Sequence, residues 1–545
     1  MPAGLWEKGI SPRSFPWLLR ILRENNRRHK QPIRIKAPSP GKNNLTFLYE
    51  ENKLLHPIPS VAEEFIKQIR ITLGNPVDLH FESIVAGKVT LAFIGSVVNQ
   101  TDLQTNLLAP LSLLSGTKAR YAWEDLLPLI SQSDGLKRLY IEDVIHDLML
   151  GRTAVQIFGN EAVYSFDTQK AMKRQPSDPL TERTVRGPRV SLVETLEDNL
   201  LMIRRGIQDP ALRIREIIVG RRTRTKVVMI YLEDVANPKL AQEVEQRIQK
   251  IEIDGIVDIG YIEQLISDNR WSVFPLTQNT ERPDKVLAAV LEGRVAILAD
   301  GSSNAIVVPT TVNELYQSPE DYYFAFWFGG FLRIFRIIGN TVAVVLPGLY
   351  IALVGVNPEL LPIKLALTVS GSRMGVAIPL LIELLVMEIT LEIFREASLR
   401  LPTTVSQTLG VTAGIILGIA AVGAGLVSNT TLVIVIVTAI ASYTGPNYHI
   451  GLSSRILKFV LIFAAAFLGL FGLTFIGMMI LAHAAIQNSF GTAYLSPWAP
   501  LRPLELGDAL FRRLLWRGRR PVTYHPIDKI RNQDPGGAHD NDEQK

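Results

Sequence analysis

From Leu401 to Ser454, and again from Phe459 to Leu501, the chain carries no Asp, Glu, Lys or Arg, whereas residues 1–320 are charged throughout. A helix needs about 20 apolar residues to cross roughly 30 Å of hydrocarbon. The pattern therefore predicts a soluble N-terminal region followed by an all-α multi-span membrane domain over 337–500. Spans fit 337–356, 408–427, 431–448 and 456–481, with an amphipathic piece at 363–400.

In the soluble part, "SVAEEFIKQIRITLG" has a Ser cap, early Glu and apolar residues at helical spacing. The alternating runs "VDLHFESIV" and "KVTLAFIGSVV" predict a hairpin. Helices at 101–113 and 140–150 and the strands "TAVQIF" and "EAVYSF" complete a unit over 60–168. The polar stretch 169–188 is expected to be a linker or exposed loop. A second unit, 189–318, repeats the order. "KVTLAFIGSVVN" (88–99) aligns with "KVVMIYLEDVAN" (226–237), and "VIHDLMLGRTAVQIFG" (144–159) with "VLAAVLEGRVAILADG" (286–301). Both of the latter place Gly-Arg between a helix and a strand. The fold class expected is α+β or α/β, in two related subdomains produced either by duplication or by convergence of similar units.

Between the soluble and membrane parts, 319–336 holds eight aromatic residues from Tyr322 to Phe335, closed by Arg333 and Arg336. Aromatic rings settle at headgroup level and long cations snorkel, so this segment is expected at the interface.

The stretch 371–402 is unusual in being oily yet carrying Glu383, Glu388, Glu392 and Glu396. A carboxylate at the bilayer centre costs roughly 2.5 to 3.5 kcal/mol, so these acids cannot face lipid. On a helix over 380–399, Glu388, Glu392, Arg395 and Glu396 share one sector while Glu383 lies off it. Glu392 and Arg395 are spaced to pair, leaving Glu388 and Glu396 as surplus negative charge. Such a helix can lie at the interface, line an aqueous pore or vestibule, or bury its stripe against basic groups. Arg373 and Pro379 mark a break between half-helices. Downstream, Gly410, Gly414 and Gly418 form a small-residue row suited to close helix packing. Four spans with 363–400 at the interface put both tails on one side; a fifth crossing through 380–399 would separate them.

Charge refines this picture. Residues 20–42 hold eight Lys or Arg against one Glu, and "FRRLLWRGRR" holds five Arg, within a leader (1–59) and a tail (501–545) that is basic and then acidic. These read as polybasic segments beside an anionic leaflet, with lipid rather than nucleic acid as the partner. The first 30 residues show no signal-peptide core, so the soluble region is expected not to be exported. The chain has no cysteine. Phosphate loops, HExxH, GxGxxG after a strand and nucleophile elbows are all missing, so neither an enzyme, a cofactor nor a metal site is expected.

Several stretches occur in the order of a known family: "ERPDKVLAAVLEGRVAILADGSSNAIVVP", "QSPEDYYFAFWFGGFLRIFR", "GSRMGVAIPLLIELLVMEITLEIFREASLRLP", "AAVGAGLVSNTTLVIVIVTAIASY" and "NSFGTAYLSPWAP". Over roughly 60–505 the chain resembles the GerA family, A subunits of the nutrient germinant receptors of endospore-forming bacteria. It departs at Val376, Ala377 and Ile378 before Pro379, where the family favours an aromatic and a proline. The resemblance implies a receptor subunit of the spore inner membrane, with the soluble region on the core side. It also implies a transporter-like B subunit that binds the nutrient, a lipoprotein C subunit, and a homo-oligomeric cation channel opened on nutrient binding. A signalling scaffold that does not conduct, and a transporter acting alone, are the competing readings; no inverted repeat supports the last.

Overall fold

The computed structural model describes residues 56–85, 87–114, 121–130, 135–171, 177–401, 418–512 and 519–531. The described residues include His56–Pro59 of the segment expected to be a leader: Ile58 is buried in the first subdomain and its N–H donates to Leu139 O.

Two antiparallel sheets are built in the same way. The first subdomain runs α1 (Ala62–Leu73), β1 (Leu79–Ile84), β2 (Val89–Ile94), and a helical stretch α2 (Gln100–Leu103 continuing through Ala109–Ser112). It continues with α3 (Trp123–Leu126), β3 (Leu136–Arg138), α4 (Ile141–Met149), β4 (Arg152–Ile157) and β5 (Val163–Asp167). The second has α5 (Leu196–Gly206), β6 (Leu212–Val219), β7 (Thr225–Leu232), α6 (Pro238–Gln249) and α7 (Ile259–Ile266). It closes with β8 (Gln278–Thr280), α8 (Pro283–Leu291), β9 (Val295–Ala299) and β10 (Ala305–Val308).

Strand order is β1-β2-β4-β5-β3 in one sheet and β6-β7-β9-β10-β8 in the other. Register repeats too. Val89 pairs with Ile157 and Ala92 with Ala154, while the aligned residues Val227 and Ile230 pair with Ala299 and Ala296. Because alternate residues point to opposite faces, each sheet is apolar on both sides and is covered by helices on both. In the second, Val228, Ile230, Ala296 and Leu298 meet α5 and α8, while Val227, Met229, Ile297 and Ala299 meet α6 and α7. The three-residue edge strands β3 and β8 are too short to show a period.

The segment expected to be a linker or exposed loop is exposed over most of 177–188 and is a strap pinned at Glu182. Glu182 is buried and accepts from Lys285 Nζ at 2.7 Å and Thr280 Oγ1 at 2.5 Å. Buried Arg282 donates to Glu182 O, Thr184 Oγ1 and Pro188 O.

After α9 (Val312–Tyr316) and α10 (Glu320–Tyr323), a helical bundle begins with α11 (Phe326–Ile351), which ends in a π turn over Ala352–Val356. It continues with α12 (Ile363–Ser372), α13 (Leu380–Arg400), α14 (Asn429–Ser442) and α15 (Tyr448–Ile486). By length and composition, Phe326–Val356 and Tyr448–Ile486 can cross a membrane, and Asn429–Ser442 is a shorter apolar helix.

The expected span 456–481 is not one straight helix. As a straight rod of 39 residues, α15 would extend about 58 Å, yet residues near its two ends touch adjacent residues of the second subdomain. Ser453 Oγ donates to Val273 O, and His483 stacks on Phe274. The chain folds back at Gly469 (φ 61°, ψ −143°), a backbone conformation reserved for glycine, and Asn357 Oδ1 accepts from Leu470 N at 3.0 Å. The result is an antiparallel hairpin with arms 448–468 and 470–486.

The segment 363–400 also differs from an interfacial helix. Gly355, at the end of α11 away from the sheets, lies against Leu380, the first residue of α13, while Arg395 reaches Ser442 and Tyr443 at the end nearest them. Helix α13 therefore runs the height of the bundle, antiparallel to α11. The additional return supplied by the hairpin keeps the C-terminal segment on the sheets' side: Ser489 Oγ donates to Leu276 O and Ile527 N to Val235 O.

Candidate functional site

The bundle's charges are concentrated where α13 meets α14 and α15. Glu383 and Glu388 are both 0% exposed. Glu383 Oε1 accepts from Ser428 N at 2.6 Å, at the N-cap of α14, and Arg373 Nε lies 3.5 Å from Oε2. An anion at a helix N-terminus meets the positive end of the peptide dipoles, which accounts for an acid off the main stripe. The helix breaks where Arg373 caps α12 and Pro379 precedes α13.

Half-way along α13 and the first arm of α15, Lys458 Nζ donates to Glu388 Oε2 at 2.5 Å and lies 3.5 Å from Glu392 Oε1. Glu388 Oε1 has no partner. Closer to the sheets, Arg395 Nη1 donates to Glu392 at 3.0 Å while its Nη2 donates to Ser442 Oγ, and Arg455 lies 3.9 Å from Glu392. Glu396 is exposed and pairs with Arg400 at 2.6 Å. The four acids thus face five cations, Arg373, Arg395, Arg400, Arg455 and Lys458. The surplus negative charge expected on Glu388 and Glu396 is neutralised within the chain. Sequence reasoning missed Lys458 because it sits at the edge of an apolar run, 70 residues from its partner. Its one signal was a pair of cations, Arg455 and Lys458, at helical spacing on a helix otherwise free of charge.

Of the glycine row, Gly410 and Gly414 lie outside the described residues. A side chain at Gly418 would make ordinary contact with Leu432.

At the junction with the sheets, Arg333 and Arg336 do not snorkel. Both are buried on Asp321, at 3.1 and 2.7 Å, and Arg333 also donates to Asp508 O. A side chain on Gly329 would strike the Asp321 backbone, so glycine lets α11 approach α10 closely enough for the clasp. Tyr322 stacks between Arg333 and Arg512. The tail's arginines are similarly engaged: Arg512 donates to Phe324 O, Arg520 to Leu291 O, and Arg531 to Glu292 at 3.1 Å. In a neighbouring cavity of about 260 Å³, burial and the nearby Glu314 and Asp508 push the Glu292 carboxyl up to about 7. Burial raises Tyr316 to about 12. Among the described residues no group of His, Asp and Glu is arranged to hold a metal.

A family model described as Bacillus/Clostridium GerA spore germination protein matches residues 67–523. The chain belongs to the GerA family. Spore germination protein GerLA of Bacillus cereus is 36% identical to this GerA-family chain over 442 residues, 80% of the chain and 90% of the relative. Spore germination protein KA of Bacillus subtilis (strain 168) is 33% identical over 480 residues, 87% and 88% of the two. Spore germination protein A1 of the same strain is 41% identical over 353 residues, 65% and 73%. Among solved structures, the N-terminal domain of the A subunit of the Bacillus megaterium spore germinant receptor GerK3 is 28% identical. It covers 47% of this GerA-family chain and 97% of the solved one, with a TM-score of 0.36.

Proposed function

We propose that this GerA-family chain acts in spore germination as the A subunit of a nutrient germinant receptor of the spore inner membrane. In this reading its helical bundle crosses the bilayer, its soluble subdomains lie on the core side, and several copies assemble into a cation channel that opens when a transporter-like B subunit binds nutrient. A lipoprotein C subunit completes the complex.

The observation that carries the channel reading is the mid-bundle cluster Glu388, Lys458, Glu392, Arg395. A passive anchor gains nothing from charges at that depth, since each ion loses several kcal/mol of hydration and the pair at best breaks even. Here Lys458 occupies the position a permeating cation would take beside Glu388. In the shut state the acids are satisfied internally; on opening, separation of α13 from the hairpin exposes Glu388 and Glu392 to a water-filled path, with Glu383, Arg395 and Glu396 at its ends.

The test is cation flux from vesicles holding the full receptor, with nutrient added. Glu388→Gln with Glu392→Gln is expected to reduce nutrient-triggered flux or its selectivity at least about tenfold. Unchanged flux removes these acids from the conduction path. Flux absent from the unmodified receptor under every condition favours a scaffold that couples a nutrient-binding partner to other proteins.

A further inference from the structure

Trp271 is the most exposed large apolar side chain in the described residues, at 94%, yet its loop is tightly held. Asn269 Nδ2 donates to Gln487 Oε1 at 3.1 Å, Trp271 N donates to Asn269 Oδ1, and Phe274 N donates to Ser272 Oγ. Ser453 Oγ reaches Val273 O at 2.6 Å, Ser489 Oγ reaches Leu276 O at 2.7 Å, and Phe274 stacks on His483. A loop fixed at both feet of the hairpin presents an indole to its surroundings with no protein contact to satisfy it.

The depth of these contacts matters. Ser453 and His483 are not the ends of α15, which are Tyr448 and Ile486. At 1.5 Å per residue they lie about 7 and 5 Å inside the hairpin. The loop of the second subdomain therefore overlaps the outermost turns of both arms. Exposed aromatic residues mark the same end of the bundle: Trp327 and Phe328 in the first turn of α11, Tyr443 after α14, and Tyr448 at the start of α15.

We infer that Trp271 is a membrane anchor carried by the soluble region, its indole seated among lipid headgroups beside the feet of the α15 hairpin. The inference rests on the bundle crossing a bilayer, as proposed above. Indole suits that zone because its ring is apolar and its N–H is a donor. Exposed Arg270 adjoins it and can meet lipid phosphate. A second copy of the chain is a poorer occupant: a lone Trp supplies at most about 250 Å², against about 800 Å² per partner in a stable interface.

The chain has no cysteine, so Trp271→Cys and Phe471→Cys each give one labelling site in the full chain. Phe471 is exposed near the hairpin tip and reports on the bundle. Each variant, labelled with an environment-sensitive fluorophore, is reconstituted in vesicles whose lipids carry a quencher near the headgroup or deep in the acyl chain. At 271 we expect quenching about twofold stronger by the shallow quencher than by the deep one, the depth at which interfacial Trp sits, and blue-shifted emission. Water-like, unquenched emission at 271 with quenching at 471 overturns the inference while leaving the crossing bundle intact. Blue-shifted but unquenched emission at 271 assigns the site to a second copy and overturns it too. Absence of quenching at both positions defeats the crossing bundle itself, and the anchor with it. In the unlabelled chain, Trp271→Phe is expected to remove a shallow-quenchable share of the intrinsic emission.

Discussion

The two sheets share order and register, and at one station they share a sequence: Gly151-Arg152 before β4 and Gly293-Arg294 before β9. Their arginines have diverged in use. Arg152 is half-buried and donates to Ser165 O across its own sheet. Arg294 is fully buried, donating to Pro309 O at 2.8 Å, Gln278 Oε1 at 2.8 Å and Thr310 Oγ1 at 3.1 Å. It also lies 3.6 Å from Glu314 and over the Tyr524 ring. Thr310 N in turn donates to Ser489 Oγ, just after the hairpin. The second unit thus uses the residue to collect the bundle, α9 and the C-terminal segment. A repeated framework leaves one copy free to take on a connecting role, because the strand pairing that holds the fold does not depend on that side chain.

The sharpest way to break this contrast is to remove both arginines separately. Arg294→Ala strands several buried acceptors and Glu314, and should cost about 3 to 5 kcal/mol of stability. Arg152→Ala should leave the protease resistance of 519–531 unchanged, because Arg152 bonds within the first sheet. Chemical unfolding of the full chain in detergent, followed by protease sensitivity of 519–531, reads both; equal losses would erase the distinction.

Next comes the strap, which is held to the second unit through Glu182 and Lys285. Lys285→Met leaves Glu182 buried with Thr280 as its remaining side-chain donor. We expect about 2 to 3 kcal/mol of destabilisation, largely recovered in the double variant with Glu182→Leu; no recovery would mean that the two side chains act independently.

A further effect is one of pH. The Glu292 carboxyl, raised from its ordinary 4.5 to about 7, holds a proton in the folded state that the unfolded chain has lost. Stability from this group is therefore full below about pH 4.5, declines as pH rises through 7, and is flat above. At about 1.4 kcal/mol per unit, the decline amounts to a few kcal/mol. Glu292→Gln should flatten that slope and be the more stable protein at pH 8. A variant with the wild-type slope would place the titration elsewhere.

Legibility in the sequence followed the range of the interactions. The β1–β2 hairpin, α1, α4 and their counterparts could be read because period and turn signals are local. The aligned segments fall on equivalent elements, β2 with β7 and α4–β4 with α8–β9. The strap's exposure was legible from its polarity, but its anchor at Glu182 was not, because Lys285 and Thr280 lie about 100 residues away. The acid helix was half legible: Glu392–Arg395 is local, but Lys458 and Ser428 arrive from distant helices. The hairpin left no periodic signature, since an apolar run looks the same straight or folded. Its length, about twice the thickness of hydrocarbon, was the available clue, and Gly469 the residue that permits the fold.

That hairpin has a mechanical consequence. Two arms joined at Gly469 and bolted by both feet to the loop 269–277 cannot slide past each other as separate ropes would. They move as one lever, with the second subdomain gripping the short end. A rotation of that subdomain by about 5° would swing the tip, some 30 Å away by helix length, through roughly 3 Å. Asn357, bonded at the tip, would carry the displacement to the far end of α11, so a small reorientation outside the bundle becomes a side-chain-sized shift at its opposite face.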